Sequence, residues 1–238
     1  MNIQIISDLH LDYNVNIPFN RFFIPSADYL IIAGDLCSSS YYGTNEFLAI
    51  YKDAFKKIIY IPGNHEYYGN TFEDSTFIFK HEFDNVIYTN NHTIIIDDVR
   101  FICTTLWSGA DFMVTSMIND YRQIRCFDIV VENEAHKYSV DWLNEELSKP
   151  FSGTTIIVSH HLPLYEVVSL RYKGNKINSA FVSNQSALFR NHKIDYWIHG
   201  HSHDSNITNF GDSKIIRNAF GYGKENILLF DSKFKIEI

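Results

Sequence analysis

Cysteine is scarce in this 238-residue chain. The three present, Cys37, Cys103 and Cys126, are odd in number and irregularly spaced, which excludes a disulfide framework and a paired CxxC zinc site. A reducing compartment follows, with the cytoplasm as the expected location. Proline is also sparse: five residues, none beside another. There is no Pro/Gly-rich linker, low-complexity tract or internal repeat, so one domain over residues 1–238 is expected. No apolar run reaches about 18 residues, which excludes a membrane-spanning helix and a membrane partner. The opening stretch, MNIQIISDLHLDY, lacks the basic start and long apolar run of a signal peptide. Basic residues are outnumbered, 20 Lys and Arg against 28 Asp and Glu for a formal charge of −8, and they form no block. Binding of a nucleic-acid polymer through bulk charge is therefore not expected.

What the chain has is apolar mass. Hydrophobic residues make up 45% against 20% charged, which excludes a disordered chain, and 19 Phe, 15 Tyr and 3 Trp suffice for a large core. Short β-rich runs recur at residues 3–6, 29–33, 58–61, 93–96, 101–105, 154–159 and 196–199. Several are apolar throughout, as in strands buried on both faces. A terminal set at 207–210, 214–217, 227–230 and 234–238 suggests antiparallel strands and hairpins. Between the strands, Thr44 is positioned to cap a helix carrying Phe47, Leu48, Tyr51 and Phe55 on one face. A second helix is expected within 128–147, with Val131, Ala135, Tyr138, Trp142 and Leu143 as its stripe, and a short one over 186–191. Early strand–helix–strand units followed by a β-rich half predict an α/β fold with more than one sheet layered between helices.

Five polar motifs sit where predicted strands end: Asp8-Leu9-His10, Gly34-Asp35, Gly63-Asn64-His65-Glu66, His160-His161 and Gly200-His201-Ser202-His203. Ligands of open α/β sheets bind outside the carboxyl ends of strands, so these motifs can converge on one crevice. Asp8 and His10 are two apart, as are His201 and His203, and a continued strand would point both members of each pair the same way. The donors Asp8, His10, Asp35, Asn64, His160, His201 and His203 mix oxygen and imidazole nitrogen without thiolate. Such a set suits manganese, iron, zinc, nickel or cobalt better than magnesium or calcium. Seven donors exceed the four of a structural zinc site and fit two metals sharing one carboxylate. Two divalent cations against Asp8 and Asp35 leave an excess of about two positive charges, which attracts a phosphate. A metal pair about 3.5–4 Å apart can hold a hydroxide nucleophile and clamp the attacking and departing oxygens. His65, next to Asn64, is expected to protonate the leaving alkoxide.

The ordered set DLH…GD…GNHE…HH…GHSH resembles the calcineurin-like metallophosphoesterase superfamily. Further matches to a group of stand-alone phosphoesterases in it are Thr104-Thr105-Leu106-Trp107, Asn119 to Ile124, Trp142-Leu143, Ser159-His160-His161, Trp197 to His201, and Asn218 to Tyr222 followed by Glu225-Asn226. The resemblance implies a four-layer α/β/β/α sandwich with two mixed sheets. It implies one metal on Asp8, His10, Asp35 and His203, and a second on Asp35, Asn64, His160 and His201. His65 matches the leaving-group acid. Related proteins carry Asn-Pro-Arg-Gly-Tyr where this chain has Asn218-Ala219-Phe220-Gly221-Tyr222, so a basic residue is lost there.

Other residues are open to two readings. His161 alternates away from His160 but can orient a phosphate; Tyr121 and Arg122 can contact phosphate or lie on the surface. Tyr67 and Tyr68 can stack on a base or sugar or pack in the core, and Asn218 can touch substrate or serve a turn. His199 reads as a buried strand histidine, and Cys37 as an inert buried thiol. The expected activity is hydrolysis of a phosphate ester, with a small phosphodiester or nucleotide favoured and manganese the favoured metal. Asp35 and His65 carry the catalysis. The alternatives are a DNA nuclease of the same superfamily, against which the −8 charge stands, and a non-catalytic interaction scaffold.

Overall fold

Strands that are apolar at every position must be covered on both faces, and the architecture does this with two stacked sheets. The computed structural model describes residues 1–41, 43–73, 83–223, 225 and 229–238. Its strands are β1 (Asn2–Ile6), β2 (Tyr29–Ala33), β3 (Lys57–Ile61), β4 (Val86–Tyr88), β5 (His92–Ile96), β6 (Val99–Thr104), β7 (Thr154–Ser159), β8 (Tyr196–Ile198), β9 (Asn206–Phe210), β10 (Ser213–Arg217) and β11 (Lys235–Glu237). The helices are α1 (Gly43–Tyr51), α2 (Asp120–Gln123), α3 (Ile129–Ser148) and α4 (Ser186–Asn191). One sheet has the order β11-β1-β2-β3-β4, the other β5-β6-β7-β8-β10-β9. In the first, β1 to β4 run parallel and β11 antiparallel. In the second, β6, β7, β8 and β10 run parallel, and the outer strands β5 and β9 antiparallel.

The period of two along each strand divides the core into layers. Ile3, Ile5, Ile31 and Ile59 of the first sheet meet Phe101, Cys103, Ile156, Val158, Ile198 and Ile216 of the second. The alternate residues Ile6, Leu30, Ile32 and Ile58 turn outward to Phe47, Leu48 and Tyr51 of α1. On the far side, Ile102, Ile157, Trp197 and Ile215 pack on Leu143 and Leu147 of α3 and Leu188 of α4. The result is a four-layer α/β/β/α sandwich of two mixed sheets. A buried side chain of this size contributes roughly 1.5–3 kcal/mol, so the intersheet layer alone fixes the relative position of the strand ends that carry the site.

Several local expectations need correction. Thr44 does not cap α1: it lies within the first turn, and its hydroxyl meets Cys37 Sγ at 2.9 Å. Phe55 is buried but falls beyond the helix, past a 3-10 turn at Lys52–Ala54. In α3 the residue Tyr138 is 61% exposed, and the buried face runs through Glu132, Ser139, Leu143 and Leu147. Asp128 caps that helix, accepting from Val130 N at 2.9 Å and Val131 N at 3.0 Å, a contact typically worth about 1 kcal/mol. The run 207–217 forms the β9–β10 hairpin, but β10 also pairs in parallel with β8. Residues 227 and 228 of the strand expected at 227–230 lie outside the described residues, and Leu229 and Phe230 are not in a strand.

Candidate metal centre

Five segments leave the carboxyl ends of β1, β2, β3, β7 and β8 and turn at once. Asp8 (φ 55°), His10 (φ 43°), Asp35 (φ 55°) and His201 (φ 67°) all adopt the left-handed backbone region. A side chain there costs of order 1–3 kcal/mol and persists only where neighbours hold it. The hold is visible: Asp8 N donates to Gly34 O at 3.0 Å, His10 N to Asp35 O at 3.1 Å and Gly200 N to His160 O at 3.1 Å. The pairs Asp8/His10 and His201/His203 therefore converge through turns, not through the strand alternation expected of them, because β1 ends at Ile6 and β8 at Ile198. Glycine permits the close approach. A Cβ on Gly63 would lie 2.2 Å from Asp35 Oδ1 and 2.7 Å from His160 Nε2, and one on Gly34 (φ 86°) 2.3 Å from His160 Nδ1.

The side chains gather into three groups whose ligand atoms lie within 4.8 Å of one another: Asp8, His10 and His203; His10, Asp35 and His65; Asp35, His160 and His201. His10 Nε2 faces His203 Nε2 at 3.0 Å, and His203 Nε2 lies 3.7 Å from Asp8 Oδ1. Asp35 Oδ2 is 3.3 Å from His160 Nε2, 3.8 Å from His10 Nε2 and 3.9 Å from His65 Nε2. Asn64 Oδ1 is 3.1 Å from His160 Nε2. The donors fit divalent cations. Bonds of about 2.1 Å at right angles separate neighbouring ligand atoms by about 3.0 Å, close to the His10–His203 and Asn64–His160 separations. Imidazole nitrogens and carboxylate oxygens without thiolate are what borderline divalent metals take.

A second ring of contacts fixes these donors. Asp35 Oδ1 accepts from His65 N at 2.9 Å, and both oxygens of Asp8 accept from His201 N, at 3.0 and 3.1 Å. His160 Nδ1 is 2.9 Å from Ala33 O, and His203 Nδ1 is 2.6 Å from Glu225 Oε2. Outer partners of this kind set which ring nitrogen faces the metal. Buried Glu66 ties the Asp35 and Asn64 loops together by accepting from Asp35 N, Leu36 N, Gly63 N and Tyr60 OH. Asp120 accepts from Asn64 Nδ2 at 2.9 Å and from Tyr68 OH at 2.6 Å.

The electrostatics divide the donors. Burial raises the Asp8 carboxyl, and although burial alone would lower His160, the carboxylates of Asp35 and Asp8 outweigh it and lift the imidazole to about 10. Asp35, His10 and His201, by contrast, are held in their ligating forms. Burial pushes the Asp35 carboxyl up, but the imidazoles of His160, His65 and His10 outweigh it and hold the group well below the usual carboxylate range. Burial drives His10 and His201 well below their usual range, so both are neutral. Ionised carboxylate and neutral imidazole are the forms that ligate metals.

The model of the calcineurin-like phosphoesterase family matches residues 1–205. The chain belongs to that family. An uncharacterized protein of Acanthamoeba polyphaga mimivirus is 28% identical over 258 residues, covering 94% of this chain and 92% of the relative. Among solved structures, the phosphopantetheinyl hydrolase PptH of Mycobacterium tuberculosis is similar with a TM-score of 0.73 at 15% identity, over 94% of this chain and 90% of that one. GAP50 of the Plasmodium inner membrane complex gives a TM-score of 0.51 at 14% identity, over 94% and 72%. These two likenesses are of fold.

Beside its donor cluster the phosphoesterase has a cavity of about 380 Å³. Asp35, Asn64, His65, His201 and His203 line one end, with Tyr68, Asp120 and Tyr222. Met117, Ile118, Val168, Ile177 and Phe181 form an apolar wall, and Arg171 is the only Lys or Arg lining it among the described residues. The Arg171 guanidinium lies over the Tyr172 ring at 4.6 Å. His65 lies between the rings of His10 and Tyr68, at 4.4 and 4.3 Å, and its Nε2 is 3.3 Å from Tyr222 OH.

The remaining substrate-contact candidates are not among the cavity-lining residues. Tyr67 is buried against Phe72 and Trp107, with its hydroxyl accepting from Asn90 Nδ2. Tyr121 turns to Glu132 and stacks on Phe127, and exposed Arg122 donates to Ser116 O. Asn218 bridges backbone, donating to Ile5 O and Asp231 O. His161 is buried beneath the donors, its ring 4.3 Å from that of His201 and 5.2 Å from that of Trp107, and burial lowers it to about 3. His199 is buried with Nδ1 on Gly200 O. Glu66, Asp120, Tyr222 and Glu225 were present in the quoted motifs, yet only their partners reveal a role; Arg171 has no motif to signal it.

Proposed function

We propose that this phosphoesterase is a dinuclear metal-dependent enzyme, one domain over residues 1–238, that hydrolyses a small phosphate ester. Asp8, His10, Asp35 and His203 would hold one cation, and Asp35, Asn64, His160 and His201 the other. One observation carries the reading: Asp35 Oδ2 stands between His10 Nε2 and His160 Nε2, at 3.8 and 3.3 Å, and these imidazoles belong to different donor groups. A bound metal pair supplies an activated water and neutralises charge developing on the phosphoryl oxygens. Asp35 would hold that pair, and its Oδ2 lies 3.9 Å from His65 Nε2. His65 opens onto the cavity and gives its proton to the leaving oxygen. Tyr222 OH, 3.3 Å from the same nitrogen, holds the ring in place between turnovers.

Manganese is the favoured metal, and a phosphodiester or nucleotide the favoured substrate. The apolar wall and the single Arg171 suit one phosphate attached to a modest organic group. A DNA nuclease is disfavoured by the −8 charge. The complete donor set weighs against a scaffold. No helix among the described residues is long and apolar enough to cross a membrane, and unpaired Cys37, Cys103 and Cys126 accord with the cytoplasm.

The test is metal content beside turnover. Wild type loaded with manganese is expected to hold two ions per chain and to cleave an aryl phosphodiester or monoester. Asp35→Ala is expected to lose both ions while keeping its circular dichroism spectrum. Two ions retained in that variant, or a fully loaded wild type inert toward every ester, overturns the reading. His65→Ala should retain both ions and lose most rate on esters with poor leaving groups; an equal loss across the leaving-group series removes His65 from its role.

A further inference from the structure

We infer that Asp120 is a positioning residue that decides which atom of Asn64 faces the second metal, an inference that rests on the ligand set proposed above. An asparagine side chain ends in two groups of nearly the same shape, and only its oxygen can ligate a cation. The choice between them has to come from outside the amide. Asp120 is buried, at 6% exposure, and an ionised carboxylate only accepts. Its Oδ1 lies 2.9 Å from Asn64 Nδ2, which therefore has to be the amino group. The oxygen is then turned to the opposite side, where it lies 3.1 Å from His160 Nε2. Tyr68 OH donates to the same Asp120 oxygen at 2.6 Å, so the carboxylate is held from two directions.

The backbone brings Asp120 to this position. Residues 119–125, running from α2 into the next turn, lie alongside 69–72, which directly follow the Asn64 loop. Gly69 N donates to Gln123 O at 2.9 Å, Arg125 N to Asn70 O at 2.8 Å and Phe72 N to Arg125 O at 3.0 Å. The Asn119–Ile124 motif thus acquires a role through Asp120, not through Tyr121 or Arg122. The inference separates the two metals: the residue Asp120 holds, Asn64, belongs to the second site alone in the proposed ligand set.

Calorimetric titration with manganese alone tests this. Wild type is expected to show two binding events; fewer than two would overturn the ligand set and with it this inference, whereas failure of the role of Asp120 alone shows only in the variants. Asp120→Ala is expected to weaken the second event by about 10–100-fold, the usual effect of losing an outer partner, with the first unchanged. Asp120→Asn keeps an oxygen able to accept from both Asn64 Nδ2 and Tyr68 OH, and should restore the second event to within about threefold of wild type. If the alanine chain does not fold, the near-isosteric Asp120→Leu takes its place with the same expectation. Wild-type affinity for both ions in the alanine or leucine variant overturns the inference. So does equal weakening of both events, which marks a general structural role, and so does failure of the asparagine variant to restore, which assigns the effect to charge.

Discussion

Replacing Glu66 by Gln measures how firmly the two strand-end loops are tied. The side chain is 1% exposed. Its Oε2 accepts from Asp35 N at 2.9 Å and Gly63 N at 2.6 Å, and its Oε1 from Leu36 N at 2.6 Å and Tyr60 OH at 2.7 Å. Glutamine keeps one accepting oxygen. Placing it at Oε2 leaves the amino group facing Leu36 N–H, which cannot turn, and Tyr60 OH, which can rotate to accept. The reverse placement faces the amino group at two backbone donors and is worse. The favoured arrangement therefore strands one buried donor and weakens the bonds that had a charged acceptor. A stranded donor costs about 1–3 kcal/mol, and bonds to charged groups are worth about 1.5–3 kcal/mol against roughly 1 for neutral ones. Burial pushes the Glu66 carboxyl up to about 7, so relief from burying its charge offsets part of this, and the expected loss is about 2 kcal/mol. At about 2–4 °C per kcal/mol for a chain of this size, that lowers Tm by roughly 4–8 °C. Urea unfolding followed by tryptophan fluorescence, with chelator present so that metal binding does not enter, reads the loss directly. A difference below about 0.5 kcal/mol, the ordinary scatter of surface substitutions, would refute the claim that Glu66 holds the Asp35 and Asn64 loops together.

A layered α/β fold was legible because several strands, such as β1, β2 and β3, are apolar almost throughout and such runs need cover on both faces; the four-layer order followed from the family resemblance. The donors were legible for a related reason: each polar motif interrupts an apolar run, and parallel strands place their carboxyl ends together. What periodicity could not supply was the local route. Asp8 and His10 share a spacing of two with a strand but adopt turns, since glycine and backbone contacts at Gly34, Gly63 and Gly200 make room for left-handed residues that no propensity predicts. Of the stripe expected on α3, Val131, Ala135, Trp142 and Leu143 pack inward and only Tyr138, included because apolar residues alone were counted, does not. Glu132 and Ser139 are buried there, and Glu132 is satisfied by Ser108 and Tyr121. Tyr121 was singled out for the same reason in reverse: its hydroxyl finds Glu132, a residue eleven positions on, instead of a ligand. Asp120 and Glu66 act through partners 56 and 31 positions away, at Asn64 and Asp35. Contacts at that range are set by the fold and have no local signature.

Arg171→Met should raise KM for phosphate esters by about three- to tenfold with kcat nearly unchanged, because Arg171, the only arginine lining the cavity among the described residues, lies over the Tyr172 ring beside the donor cluster. An unchanged KM across mono- and diesters would place Arg171 outside the substrate path. Chelator treatment should abolish hydrolysis, and added manganese should restore it; activity that survives exhaustive chelation contradicts the metal centre. Glu132 gives a pH signature apart from that centre. Burial lifts its carboxyl to about 7, against the tempering hydrogen bonds from Tyr121 and Ser108, while in the unfolded chain it titrates near its ordinary value of about 4.3. The folded state therefore binds the proton more tightly. Its contribution to stability is complete below about pH 4 and disappears as pH rises through about 7, with a full span of roughly 3 kcal/mol. A glutamine in its place does not titrate, so the stability of Glu132→Gln relative to wild type should climb between pH 5 and pH 8 in urea unfolding. Parallel pH profiles for the two proteins would mean that Glu132 titrates as it does in water, and that the polar patch beneath α3 is not dry.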